Sequence, residues 1–177
     1  MDITAIKQAL PESAKDLRLN FDRVLQAEHL TARQAAGTFL ACAFAARNGE
    51  LLSVARTATA EVLGSDAAEV EKVAATMGMN NVYYRSIHLL ENAALGQMPA
   101  KLRMQSLAHP EGDRLDRELW AFAVSAVNGC GKCLKAHEHT LKQEGARDEA
   151  LQDSLRIASV VAASAAALDA ASFAKSA

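Results

Sequence analysis

Apolar residues recur along this chain at helical spacing, and the punctuation between them is that of helix starts and stops. Ile3 to Ala9 predicts one or two amphipathic turns, ended at Pro11. Pro11-Glu12 suits a helix start, because proline fits the first turn and an acid faces its positive end. Ala14, Leu17, Leu19, Phe21, Val24 and Leu25 then give an approximately helical apolar face to about Gln26. Thr31 and Gln34 stand at capping-box spacing. Behind them Ala35 to Ala46 is apolar nearly all round, which predicts a buried helix. Asn48-Gly49 reads as its stop, Leu51 to Leu63 as a further helix closed by Gly64, and Ser65-Asp66 as the cap of the next, which carries Val70, Val73, Ala74 and Met77.

Gly96 to Pro99 and Ala108 to Asp113 are the clearest loops. Leu115 to Val127 is an apolar helix carrying Glu118 and Trp120. A helix opening near Cys130 runs to about Gly145, and a last one runs from Asp148 to about Ala171. β-Branched and aromatic residues never alternate with polar ones over a strand's length, so the fold class is all-α. An internal echo suggests two related helical halves of a single domain over residues 1–177. An apolar helix (Ala35–Ala46, Leu119–Val127) leads to Asn-Gly (Asn48-Gly49, Asn128-Gly129), then a polar helix, a glycine (Gly64, Gly145), an acidic cap and a long Ala-rich helix. The half at about 114–177 carries the cysteine pair.

One helical stretch breaks the pattern. Met77-Gly78-Met79-Asn80-Asn81-Val82-Tyr83-Tyr84-Arg85 places paired asparagines and paired tyrosines where an apolar face is expected. It reads as a core-facing helix whose polar groups are satisfied locally, or as the wall of a pocket or subunit contact.

Composition narrows the class. Half of the 177 residues are hydrophobic but only 5% are aromatic, so the core is built of Ala, Leu and Val. A net charge of −2 with no basic run argues against nucleic acid. The start Met1-Asp2-Ile3-Thr4 lacks the layout of a signal peptide, and the richest apolar run, Ile157 to Ala171, is short for a membrane span. A soluble cytoplasmic protein is expected. In a reducing compartment three cysteines argue against a disulfide framework and favour a redox, metal or catalytic role for any close pair.

That pair is Cys130-Gly131-Lys132-Cys133, with His137 four residues beyond. Three readings are open. The cysteines can be plain buried residues. They can bind zinc with His137, and with Glu118 or His139 as a fourth ligand, although no second cysteine pair or spaced histidine pair completes the usual set. Or they can form a redox dithiol. A helix N-terminus lowers a thiol's pKa, Gly129 and Gly131 permit a tight approach to such a start, and Cys133 and His137 share a helix face at i, i+4. Cys130, about two turns before His137, adds a second thiol on that side. The redox reading uses every feature of the segment, yet no βαβ pattern of a thioredoxin surrounds it. Spacing alone leaves Glu118 a surface acid, His139 pointing elsewhere, and Cys42, inside an apolar run, a core residue.

Glu118-Leu119-Trp120-Ala121-Phe122-Ala123-Val124-Ser125-Ala126-Val127-Asn128-Gly129-Cys130, followed by Cys133-Leu134 and Ala136-His137-Glu138-His139-Thr140-Leu141, resembles the alkylhydroperoxidase D family. So do Met77 to Arg85 and the opening Leu10-Pro11-Glu12 with Ala14-Lys15-Asp16 and Leu19-Asn20. The resemblance covers nearly the full length and implies an all-helical, trimeric protein of the wider carboxymuconolactone decarboxylase-like superfamily, with no metal or bound cofactor. It implies that Cys133 attacks an organic hydroperoxide, Cys130 resolves the sulfenic acid, His137 is the base, and Glu118 joins the proton relay through water. It further implies a partnership with an alkyl hydroperoxide reductase C-type peroxiredoxin. The implied electron donor is dihydrolipoamide, on the lipoyl-bearing acyltransferase of a 2-oxo acid dehydrogenase. One member of that family has Ser-His between the cysteines where this chain has Gly131-Lys132. Lysine does not exchange protons near neutrality as histidine does, but a nearby ammonium stabilises a thiolate. Two other functions stay open: a lipoamide-linked disulfide reductase with little peroxidase activity, and a helical zinc or redox-sensor module.

Overall fold

A computed structural model describes residues 1–104 and 112–176, and backbone alone over the last three of these. In chain order the α-helices are α1 (Thr4–Ala9), α2 (Lys15–Val24), α3 (Ala32–Ala45), α4 (Gly49–Leu63), α5 (Ala67–Leu90), α6 (Ala93–Gln97), α7 (Arg114–Val127), α8 (Gly131–Gln143) and α9 (Asp148–Ser176). Short 3-10 turns at Glu12–Ala14 and Gly64–Asp66 lead into α2 and α5. Among the described residues there is no strand. The predicted loop from Ala108 to Asp113 falls mostly outside the described residues.

The middle of the molecule is α3, packed against α4, α5, α7 and α9. Its capping box forms: Gln34 N–H donates to Thr31 Oγ1 (3.1 Å) and Thr31 N–H donates to Gln34 Oε1 (3.0 Å). Every residue from Ala35 to Ala43 is buried, as the all-round apolar pattern predicts. Gly37 has a packing reason. A Cβ there would lie 2.2 Å from Nε1 of the fully buried Trp120, so the indole of α7 rests on α3 backbone. One turn earlier, Asp116 accepts hydrogen bonds from Arg33 Nε (2.7 Å) and Gln34 Nε2 (2.9 Å). The paired positions 33 with 116 and 37 with 120 mean that α3 and α7 run side by side in the same sense.

Both halves show the same order of elements: helices of 14, 15 and 24 residues in the first (α3, α4, α5), and of 14, 13 and 29 in the second (α7, α8, α9). Gly64 (φ +52°) and Gly145 (φ +85°) both follow the middle helix.

Several local expectations are corrected. Asn48-Gly49 starts α4 rather than merely ending α3: Leu51 N–H donates to Asn48 Oδ1 (2.7 Å), and the chain reverses at Arg47 (φ +63°). Asp66 makes no cap bond and instead pairs with Arg33. Leu19 is 64% exposed, because α2 buries only a narrow stripe around Phe21 and Val24. Gly96 lies within the short α6. The last helix continues past its expected end at about Ala171 to Ser176. Over Asp148–Phe173 it passes a membrane span's test of length and composition, with less than half of its most apolar stretch buried. Its buried residues, including Ile157 and Val161, join the common core, and it packs on α2, α3 and α7.

Candidate active site

The cysteine segment sits where α7 turns into α8. Carbonyls of the last turn of α7 accept three successive N–H groups: Asn128 to Val124 (3.0 Å), Gly129 to Ala126 (3.1 Å) and Cys130 to Ser125 (2.9 Å). Gly129 turns the chain at φ +66°, a conformation that suits glycine. Gly131, by contrast, faces open space. Cys130 is the N-cap of α8: its Sγ accepts the Cys133 N–H at 3.2 Å, and the Leu134 N–H bonds to the Cys130 carbonyl (2.9 Å). A sulfur therefore takes the place usually held by a Ser, Asp or Asn oxygen. Cys130 and Cys133 are joined as a disulfide, with Cα atoms 5.3 Å apart. Cys130 is fully buried and Cys133 is 6% exposed.

His137 lies one turn beyond Cys133 on α8. Its Nδ1 is 2.7 Å from Glu118 Oε2 on α7. An ionised carboxylate only accepts, so Nδ1 carries the proton and Nε2 is the nitrogen left for exchange. The two side chains are 18% and 25% exposed. α7 and α8 form an antiparallel hairpin, with Arg114 paired to Glu144 (2.8 Å) at its far end. That geometry brings position 118 beside position 137 and turns an apparent surface acid into the histidine's partner. The arrangement holds two bonded sulfurs at the start of α8 and a hydrogen-bonded carboxylate–imidazole pair one turn along the same helix.

The remaining candidates lie apart. His139 is exposed. Cys42 is free and wholly buried in α3, and burial pushes its thiol far above the ordinary range. Among the described residues no group of three His, Cys, Asp or Glu stands together as a metal ion needs. Lys132, between the two cysteines, places its Nζ 5.6 Å from the Tyr84 ring centroid.

The odd stretch Met77–Arg85 proves to be the wall behind this turn. Asn80 finds a local neighbour, Met77 Sδ, 4.0 Å from its Nδ2. Asn81 does not: its Nδ2 donates to Ser125 Oγ (3.0 Å), and its Oδ1 accepts from Asn128 Nδ2 (3.0 Å). Arg85 donates to the Asn128 carbonyl. Reading the sequence missed Asn81, Arg85, Ser125 and Asn128 as site residues. The signal was the run of paired asparagines and tyrosines in α5, where both asparagines are buried.

Residues 93–176 match the carboxymuconolactone decarboxylase family. An alkyl hydroperoxide reductase AhpD of Methylobacterium sp. (strain 4-46) is 48% identical over 170 residues, covering 96% of this chain and 97% of that protein. The AhpD of Frankia alni is 46% identical over 171 residues, covering 96% and 92%. That of Brucella abortus (strain 2308) is 42% identical over 172 residues, covering 97% and 98%.

Proposed function

The chain belongs to the alkyl hydroperoxide reductase AhpD family, and on that premise we propose that it is a dithiol peroxidase acting on organic hydroperoxides. The observation that carries the proposal is the Cys130–Cys133 pair at the start of α8, with the Glu118–His137 dyad one turn along it.

The Cys133 thiolate attacks the peroxide O–O bond. The distal oxygen becomes the Cys133 sulfenic acid, and the alkoxide leaves with a proton to give the alcohol. Cys130 then displaces hydroxide from the Cys133 sulfur, and water and the disulfide are the products. His137, held by Glu118, takes the proton from Cys133 and returns it to the leaving oxygen. Two electrons and two protons restore the thiols. Dihydrolipoamide is the proposed donor; it is itself oxidised to lipoamide, carried on the acyltransferase of a 2-oxo acid dehydrogenase. The enzyme serves an alkyl hydroperoxide reductase C-type peroxiredoxin and works as a cytoplasmic homotrimer. Leu89 and Leu90 on α5 and Met98 after α6 are large apolar side chains left exposed, which such assembly would cover. No metal or bound cofactor enters the cycle.

Anaerobic thiol counting tests the cycle. One equivalent of an organic hydroperoxide should remove two thiols, and dihydrolipoamide should return them. Cys133→Ser should abolish turnover, and Cys130→Ser should stop after one oxidation. Full steady-state activity in Cys133→Ser would sink the proposal. Lys132 favours a second reading, since its ammonium lies over Tyr84 and offers no proton acceptor between the sulfurs. Under that reading the protein is a lipoamide-linked disulfide reductase, and turnover would require the peroxiredoxin instead of rising only modestly with it.

A further inference from the structure

The turn that presents Cys130 is gripped from a helix some fifty residues earlier in the chain. Asn128 Nδ2 donates to Asn81 Oδ1 (3.0 Å), Asn81 Nδ2 donates to Ser125 Oγ (3.0 Å), and Ser125 Oγ donates to the Ala121 carbonyl (2.7 Å). Arg85, one turn beyond Asn81, donates to the Asn128 carbonyl. Asn128 is thus held at both its side chain and its backbone. Ser125 serves the turn twice, through its hydroxyl and through the carbonyl that accepts the Cys130 N–H at 2.9 Å. Asn81 and Ser125 are wholly buried, where a polar group left without its partner is destabilising. The chain of donors and acceptors therefore has one low-energy arrangement. It ends at the residue whose sulfur caps α8.

We propose that Asn81 is a positioning residue for Cys130. By fixing Asn128 and Ser125 it fixes the turn through Gly129, and with it the contact between Cys130 Sγ and the Cys133 N–H. Here a disulfide sulfur makes that contact. After reduction the same N–H faces a thiol or thiolate, and the thiolate accepts it more strongly, with the positive end of α8 behind it. A turn cut loose from α5 samples other conformations, and the thiolate loses part of that stabilisation. The inference rests on Cys130 being a working member of the redox pair, but its observable is the thiolate itself.

The experiment uses the full-length Cys133→Ser protein, which keeps the backbone N–H at position 133. Cys130 is then the thiol that titrates, since burial holds Cys42 out of range. Thiolate absorbance is followed against pH with and without Asn81→Ala. The expected result is a midpoint raised by about half a pH unit, roughly a threefold loss in the thiolate-to-thiol ratio. Asn128→Ala, at a half-buried turn position, should move it the same way, and it decides the matter if Asn81→Ala does not fold. Asn80→Ala, at the neighbouring buried position of α5 but bonded locally to Met77 Sδ, should leave the midpoint where it was. A merely structural Asn81 would lower the melting temperature with no change in midpoint. That outcome, or an equal shift in Asn80→Ala, overturns the proposal. No peroxide is used, so a failure of the peroxidase reading would show in thiol counting and not here.

Discussion

Replacing Glu118 tests whether the dyad does chemistry or merely decorates the α7–α8 hairpin. The His137–Glu118 bond is short, at 2.7 Å, and both side chains are less than a third exposed. A hydrogen bond to a charged group is worth about 1.5–3 kcal/mol. If all of it is used to orient His137 and to stabilise its protonated form in the transition state, Glu118→Ala slows peroxide reduction roughly 10- to 150-fold, at about 1.36 kcal/mol per tenfold. Glu118→Gln keeps a neutral acceptor of about half that strength and should cost about four- to twelvefold. The assay is steady-state consumption of an organic hydroperoxide with dihydrolipoamide in excess, alongside melting curves of each variant. The graded order wild type, Gln, Ala is the signature. A folded Glu118→Ala enzyme within twofold of wild type would refute the reasoning. So would Gln and Ala variants of equal rate, since that would make charge irrelevant.

Other outcomes follow from the packing. Gly37→Ala drives a methyl to 2.2 Å from Trp120 Nε1. Overpacking of about 1–3 kcal/mol, less about 1 kcal/mol gained in helix propensity, should leave a net cost of up to about 2 kcal/mol, or a fall of up to about 8 °C in melting temperature. In reduced protein a disulfide reagent should reach Cys133, at the start of α8, and leave Cys42 unlabelled until the chain unfolds, because Cys42 is wholly buried in α3 and burial pushes its thiol up. Fast labelling of three thiols in native buffer would contradict this. Asp153 is raised by burial, but more than offset by hydrogen bonds from the His29 side chain and backbone and from Arg156, so its carboxyl sits below the ordinary value. A carboxyl lowered in the folded state adds stability in full above its unfolded value, about 3.9, and loses it as pH falls through the folded one. Asp153→Asn should therefore be less stable than wild type at neutral pH, with the gap closing below about pH 4; a gap that widens in acid denaturation curves would be the wrong sign.

Local rules made much of this readable. α3 was legible because its capping box and all-round apolar pattern are both satisfied within a few residues of chain. Cys133 and His137 were legible for the same reason, since four residues on a helix define a shared face. Leu19 shows the limit. Its spacing fits an apolar face, but how wide a stripe α2 buries depends on what lies against it. Asp66 shows another: a good cap by type, it is drawn instead to Arg33, thirty-three residues away.

Local pattern sufficed for the all-helical class, for a close cysteine pair at a helix start and for the histidine one turn on. Each rests on short-range periodicity or on the reactivity of a residue type. That Glu118 meets His137 needed the folded chain, because it depends on the antiparallel closure of α7 on α8. The tertiary structure also decided that Asn81 reaches across to Ser125 and Asn128. A buried amide must find its partners wherever the fold supplies them, and these lie forty-four and forty-seven residues along the chain, beyond the reach of any local pattern.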